Sequence, residues 1–162
     1  MQKLRKISVK TRAGTFVLEM SSKGLWAVRF PVFSRVTSGT LTFSRTMNVP
    51  AFKKIRKMKL DLTGYTPFQA KVYAALRKVR AGQTVTYGEL ARRAGYPGAA
   101  RAVGSAMKKN RLPIIVPCHR VLPAVGGLGE YSAGKKWKRW LLEYELKQDG
   151  GGRMERNRKA KA

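Results

Sequence analysis

The 162-residue chain has one cysteine and one histidine, and they are neighbours, Cys118 and His119. They lie in the stretch Pro113-Ile114-Ile115-Val116-Pro117-Cys118-His119-Arg120-Val121. A thiol beside an imidazole is a candidate nucleophile beside a base, because the thiolate is the reactive form and must be generated. The apolar run Ile114–Val116 predicts a short buried strand that Pro117 ends, which would deliver the thiol from a rigid support. One Cys and one His do not fill a tetrahedral zinc site, and a single cysteine forms no intramolecular disulfide. The expectation is a nucleophile site with no metal and no cofactor.

What such a thiol would attack is suggested by charge. The chain carries 35 Lys+Arg against 8 Asp+Glu, a net charge of +27. A charge of this size repels itself unless a polyanion neutralises it, so nucleic acid is the leading partner class and an anionic membrane surface the second. Hydrophobic residues make up 43%, enough for a globular chain. No run of about 18 apolar residues is present, so no bilayer-spanning helix and no membrane role is expected. Met1 to Arg12 is basic without an apolar h-region, which excludes a secretory signal there. These features predict a cytoplasmic, nucleic-acid-associated protein.

The elements that must position the pair follow from periodicity. Phe16–Met20 and Leu25–Phe30 are rich in β-formers and flank Ser21-Ser22-Lys23-Gly24, which predicts a hairpin. Thr40–Thr46 reads as a further strand. Pro50–Leu60 reads as a short amphipathic helix, with Phe52, Ile55 and Met58 three apart. From Thr66 the pattern is helical: Thr66 as N-cap, Pro67 at N1 and Gln69 completing a capping box, with Phe68, Val72, Tyr73, Leu76 and Val79 on one face up to Ala81-Gly82. A short helix over Thr86–Ala94, a turn through Gly95 and Gly98, and a helix over Ala99–Lys109 have helix-turn-helix order. The second helix of that pair is made of small residues, with Arg101 the one long side chain in its first turns. Such a face suits either close approach to DNA or close helix–helix packing. Gly126 to Gly134 is a glycine-rich loop without the strand-to-helix context of a phosphate cradle, and suits a mobile lid or a substrate wall. The last helix, Lys135 to about Lys147, places Trp137, Trp140, Leu141 and Tyr144 on one face. Residues 149–162 are Gly-rich and then basic, and predict a disordered tail that attracts phosphates.

Several of these segments together resemble the O6-alkylguanine-DNA alkyltransferase family. The likeness rests on Thr66-Pro67-Phe68-Gln69, Val85-Thr86-Tyr87-Gly88-Glu89-Leu90-Ala91, Ala100-Arg101-Ala102-Val103-Gly104, Asn110, Pro113–Val121, Tyr131-Ser132, and Leu141-Leu142 followed by Glu145. It covers roughly half of the chain, from about Thr66 to Glu145. The resemblance implies an α+β fold: a small N-terminal α/β domain over 1–62, a helical winged-helix-like helix-turn-helix domain over 63–148, and the tail over 149–162. It also implies a function, the repair of O6-alkylguanine, with O4-alkylthymine a further candidate lesion. The alkyl group is transferred irreversibly to Cys118 in one turnover. His119 would take the thiol proton through a water and Glu145 would orient the imidazole; Glu143, two residues earlier, is its rival by position. Tyr87 would donate toward guanine N3 and Ser132 toward O6. Main-chain groups at Cys118 and Val121 would read the guanine amino group, and Asn110 would join the DNA-reading helix to the active-site segment. Arg101 would fill the gap left by the flipped nucleotide. Ala102, Gly104, Arg120 and Tyr131 complete the residues placed at DNA or base. The small-residue helix would dock in the minor groove of double-stranded DNA, and the protein would act as a monomer.

The sequence departs from the family pattern in two loops. Arg111 follows Asn110 where proline is common, and Ala133-Gly134 replaces a pair of glycines. The N-terminal region has no cysteine, so the zinc or disulfide of some members is not available. The competing class is a DNA-binding module without chemistry, either a helix-turn-helix regulator or a lesion-flagging relative. Position 118 separates them, since the lesion-flagging relatives lack the cysteine. A regulator would need base-edge donors that Ala99–Ala106 does not carry.

Overall fold

The computed structural model describes residues 3–11, 14–31 and 58–148. The expected strand over Thr40–Thr46, most of the helix over Pro50–Leu60 and the basic tail lie outside the described residues. The chain divides into two compact units, one of Met1–Tyr65 with Arg111–Ile115 and the other of Thr66–Asn110 with Val116–Ala162. The short segment ahead of the Cys-His pair thus belongs with the first unit, which a cut along the sequence does not contain.

The first unit is built on an antiparallel sheet, β1 (Arg5–Thr11), β2 (Gly14–Ser21) and β3 (Gly24–Arg29), in that order. The predicted hairpin is β2–β3; β1 is an added strand whose apolar residues, Ile7 and Val9, are too few to announce it. Ile7 pairs with Leu18, and Leu18 with Val28. Strand alternation buries Phe16 and Leu18, which pack with Leu25, Ala27 and Val28 in the core. Gly24 sits at φ +142°, and a Cβ there would lie 2.3 Å from the Lys59 carbonyl oxygen, so only glycine fits. That approach lets Leu25 donate to Lys59 O (2.9 Å) and accept from the Asp61 amide (2.9 Å). Lys59 and Leu60 are therefore extended along β3, and the helix expected over Pro50–Leu60 does not reach Leu60. The Lys59 carbonyl and the Asp61 amide are bonded across to Leu25 and not along a helix.

The second unit carries α1 (Pro67–Arg77), β4 (Val85–Thr86), α2 (Tyr87–Arg93), α3 (Ala100–Lys108), β5 (Val121–Leu122) and α4 (Lys135–Gln148). The capping box at Thr66 and Gln69 forms in both directions, 3.2 and 2.9 Å. The same device recurs at the start of α2, where Glu89 N donates to Thr86 Oγ1 (3.2 Å) and Thr86 N to Glu89 Oε2 (2.7 Å). Val72, Tyr73 and Leu76 of α1, Leu90 and Ala91 of α2, Val103 and Met107 of α3, and Trp137 and Leu141 of α4 are buried. The Tyr73 hydroxyl donates to Ala106 O at 2.7 Å, so a buried phenol is satisfied by α3.

No strand forms over Ile114–Val116. Pro113 to Ile115 is a turn, with Ile114 at φ +74°, and Cys118–Arg120 is one turn of 3-10 helix. Two prolines flank three apolar residues, and burial, not strand pairing, is what the apolar run reports. Among the described residues, no helix is long and apolar enough to cross a membrane.

Thr86 both ends β4 and caps α2. Thr86→Ala removes one side-chain bond and is expected to lower unfolding free energy by about 1 kcal/mol, with Thr86→Ser close to wild type. Urea unfolding measured by circular dichroism checks this; an alanine variant equal to wild type would show the cap to be idle.

Candidate active site

Two-residue strands bring the site together. β4 and β5 pair in parallel, Val85 with Val121 and Thr86 with Leu122. Val121 follows the Cys-His turn directly, and Tyr87 follows Thr86, so this pairing sets the Tyr87 ring beside Cys118. Both residues line a cavity of about 600 Å³, with Gly104, Met107 and Lys108 of α3 and Tyr131 and Ser132 of the glycine-rich loop. Pro123, Gly129 and Glu130 complete its wall. The loop thus forms a wall, and Gly129 explains one of its glycines: at φ +65° a Cβ would lie 2.9 Å from Pro123 Cγ and 3.8 Å from the Tyr87 hydroxyl. Gly104 packs against the other side of Tyr87, where a Cβ would stand 3.9 Å from the ring.

Cys118 is 5% exposed, and its Sγ accepts from Asn110 Nδ2 at 3.1 Å. Burial raises the thiol pKa, and the Asn110 amide, Tyr131 and the Lys138 ammonium work against that rise. A thiol held neutral by burial needs a base. Behind it, His119 Nε2 lies 2.8 Å from Glu145 Oε1. Burial would raise the Glu145 carboxyl, but its bonds with His119 and Arg120 outweigh that and hold it at about 2. Glu145 is therefore ionised and can only accept, so His119 carries its proton on Nε2. The other ring nitrogen, Nδ1, is buried, makes no hydrogen bond among the described residues, and presents a lone pair. Burial lowers the His119 pKa, so the ring is neutral at neutral pH and able to take a proton.

The remaining expected site residues fall in three places. Arg101 and Ala102 are exposed on α3, and with Ser105, Lys108 and Lys109 they form one stripe, small in the middle and basic at its ends. Asn110 is buried at the end of α3 and also donates to Val116 O at 3.0 Å. Val121 is buried, and its carbonyl already accepts from Lys138 Nζ at 2.7 Å. Glu145 meets the histidine, whereas Glu143 is exposed.

Arg120, expected at the DNA or base, is corrected by the structure. It is buried, with Nε and Nη2 on the two oxygens of Glu145 (2.9 and 2.6 Å) and Nη1 on Val79 O (2.6 Å). A guanidinium buried against a carboxylate, with its charge already paired there, is not placed to meet a phosphate. The residue missed from sequence is Lys138, fully buried, whose pKa is lowered by burial to about 8. Its signal was its place on the stripe Trp137, Lys138, Leu141, Glu145, whose members are all buried. Among the described residues no group of three or more His, Cys, Asp or Glu could hold a metal ion.

The linked pKa values set the acid response. Glu145, held at about 2 against an ordinary 4.5, contributes stability that is full above 4.5 and lost as pH falls toward 2. His119, lowered from 6.5, makes the folded state resist a proton that the unfolded chain takes up below 6.5. Thermal stability is therefore expected to fall from about pH 6.5 downward and more steeply below about 4.5. Glu145→Gln, which strands Arg120, is expected to cost about 3–5 kcal/mol and to flatten the lower part of that curve. Melting temperatures from pH 7 to pH 3 check both, and a flat wild-type profile would contradict the network.

The geometry has close parallels. A family model described as the DNA binding domain of 6-O-methylguanine DNA methyltransferase matches residues 67–147, half of the chain. The methylated-DNA–protein-cysteine methyltransferase of Salmonella typhimurium is 52% identical over 83 residues, 51% of this chain and 48% of that protein. The chain spans about half the length of the curated relatives it matches. Among solved structures, the O6-methylguanine methyltransferase of Mycobacterium tuberculosis superposes with a TM-score of 0.70 at 32% identity, over 93% of this chain and 97% of that one. The OGT of the same organism, solved in complex with DNA, gives 0.70 at 34% identity over 88% and 93%. A mixed α/β fold is common to them and to this protein, and with the match over residues 67–147 it establishes that the chain belongs to the 6-O-methylguanine DNA methyltransferase family.

Proposed function

We propose that the protein repairs DNA by transferring the alkyl group of O6-alkylguanine to Cys118, and is consumed in doing so. The observation that carries this reading is a lone thiol in the wall of a cavity of about 600 Å³, with a neutral histidine and an ionised carboxylate behind it. That volume is within the range of sites that enclose a small ligand, roughly 300–1,000 Å³. A base inside the duplex cannot reach a buried thiol, so the damaged nucleotide must leave the stack.

The chemistry follows from the ionisation states. His119 takes the thiol proton at Nδ1, through a water as the family resemblance implies. The product is a thiolate beside an imidazolium, and Glu145 stabilises the new positive charge across 2.8 Å. The thiolate attacks the alkyl carbon, a C–S bond forms, and the C–O6 bond breaks with its electron pair on guanine. Burial raises the Tyr87 pKa, which keeps the phenol protonated and able to donate to guanine N3 as charge builds there. Ser132 donates to O6 from the opposite wall. The thioether has no leaving group, so the site does not turn over.

On this reading the stripe of α3 faces the minor groove, Arg101 enters the stack in place of the flipped nucleotide, and Asn110 couples α3 to the thiol. The protein acts on double-stranded DNA as a monomer in the cytoplasm, with the +27 charge directed at phosphates.

Two measurements test the proposal. Intact-mass analysis after mixing with DNA containing O6-methylguanine is expected to show one added methyl group per chain, located on Cys118, and none on Cys118→Ala. Full transfer by the alanine variant would falsify the assignment. Arg101→Ala is expected to slow transfer from DNA about tenfold or more while leaving reaction with free benzylguanine within about twofold. Equal losses on both substrates would remove Arg101 from base flipping.

A further inference from the structure

Arg111 is the residue that departs from the family pattern after Asn110, and the site described above makes no use of it. Its side chain is held on several sides, although its buried Nε makes no hydrogen bond among the described residues. The guanidinium lies 3.6 Å from the centre of the Trp26 ring and 4.2 Å from that of Tyr65, so two aromatic faces hold it. Nη2 donates to Thr63 O at 2.8 Å. The backbone is held as well: Arg111 N donates to the Tyr65 hydroxyl at 2.8 Å, and Arg111 O accepts from Val28 N at 2.8 Å. Planar delocalised charge suits such a stack, which an ammonium does not reproduce.

What this arrangement holds is the five-residue loop Arg111–Ile115, whose flanking residues are Asn110 and Val116. Its neck is the bond from Asn110 Nδ2 to Val116 O, 3.0 Å, and the same Nδ2 donates to Cys118 Sγ at 3.1 Å. Within the loop, Ile114 sits at φ +74°, a conformation costly for a β-branched residue and kept only where its surroundings over-determine it. One peptide bond separates the stacked arginine from the asparagine that touches sulfur. Sγ is also faced by Tyr131 from the glycine-rich loop and by the Lys138 charge from α4.

We infer that Arg111 is a positioning residue for the nucleophile: its stack between Trp26 and Tyr65 fixes the Arg111–Ile115 loop, and so holds the Asn110 amide on Cys118 Sγ. The influence of Arg111 runs along the chain, through the single peptide bond to Asn110, from the arginine in place of the more usual proline. The inference deepens the proposed alkyl transfer, but its core, the state of the thiol, is measurable without that reaction.

The test uses the fact that Cys118 is the only cysteine of the chain. The rate of its modification by iodoacetamide against pH reads its ionisation directly, and the rate with benzylguanine reads transfer. Losing the Asn110 hydrogen bond is expected to move the iodoacetamide profile of Arg111→Ala up by about half a pH unit or more. At neutral pH that corresponds to about a threefold slower reaction. Arg111→Lys keeps the charge and loses the planar stack, so it is expected to shift in the same direction; it also carries the test if the alanine variant does not fold. An unshifted profile in a folded variant overturns the inference, as does a uniform loss of rate at every pH, which marks a merely structural role. Wild-type protein that ionises normally yet never accepts an alkyl group would count against the proposed function and leave the role of Arg111 standing.

Discussion

The Glu145 carboxylate, 5% exposed, is the group on which the site depends. Taking a carboxylate out of water costs several kcal/mol, and an unpaired one would simply protonate. Here three partners hold it charged: the Arg120 guanidinium on both oxygens, His119 on one, and the Gly82 amide at 3.4 Å. The partners come from two segments, His119 and Arg120 from the Cys-His turn and Gly82 from the loop after α1, so the same charge that fixes the histidine tautomer also ties α4 to both. A neutral glutamine could keep the shape but not the electrostatic field that favours an imidazolium.

The energetic logic of the thiol is the reverse. Its burial opposes ionisation, and a permanently charged thiolate in that position would need a permanent counter-charge. The surroundings supply partial help only, an amide dipole from Asn110 and a Lys138 ammonium whose own charge burial weakens. The thiol therefore waits as a neutral group and depends on the neutral His119 to ionise it. Arg120 and Glu145 cancel each other, so the proton moved from sulfur to imidazole creates one further balanced pair beside them. The cavity wall in front of it is kept open by small residues: Gly104 and Gly129 both lie against Tyr87, and side chains there would occupy the space beside its ring.

Local chemistry was legible residue by residue. Thr66 and Gln69 announced a helix start because a capping box is closed within four residues, and Ser21–Gly24 announced a hairpin because turn chemistry is equally local. The Ile114–Val116 run misled because apolar character reports burial, while the choice between strand and turn depends on pairing partners that no local pattern names. Arg120 misled for a related reason. A basic residue beside a reactive cysteine in a chain of +27 reads as a phosphate ligand, until a carboxylate 25 residues away is found to occupy it.

By itself the sequence determined the reactive pair, the charge that selects a polyanionic partner, the helix order and the motif spacings that carry the family resemblance. These are properties of residue type and short separation, and they survive without coordinates. The tertiary structure decided which glutamate serves the histidine, which ring nitrogen is left to act as base, that Lys138 and Arg120 are interior charges, and that Arg111 is stacked between two aromatic rings. Each of those depends on contacts between residues far apart in the chain, where burial sets the cost of a charge and only a placed partner can offset it.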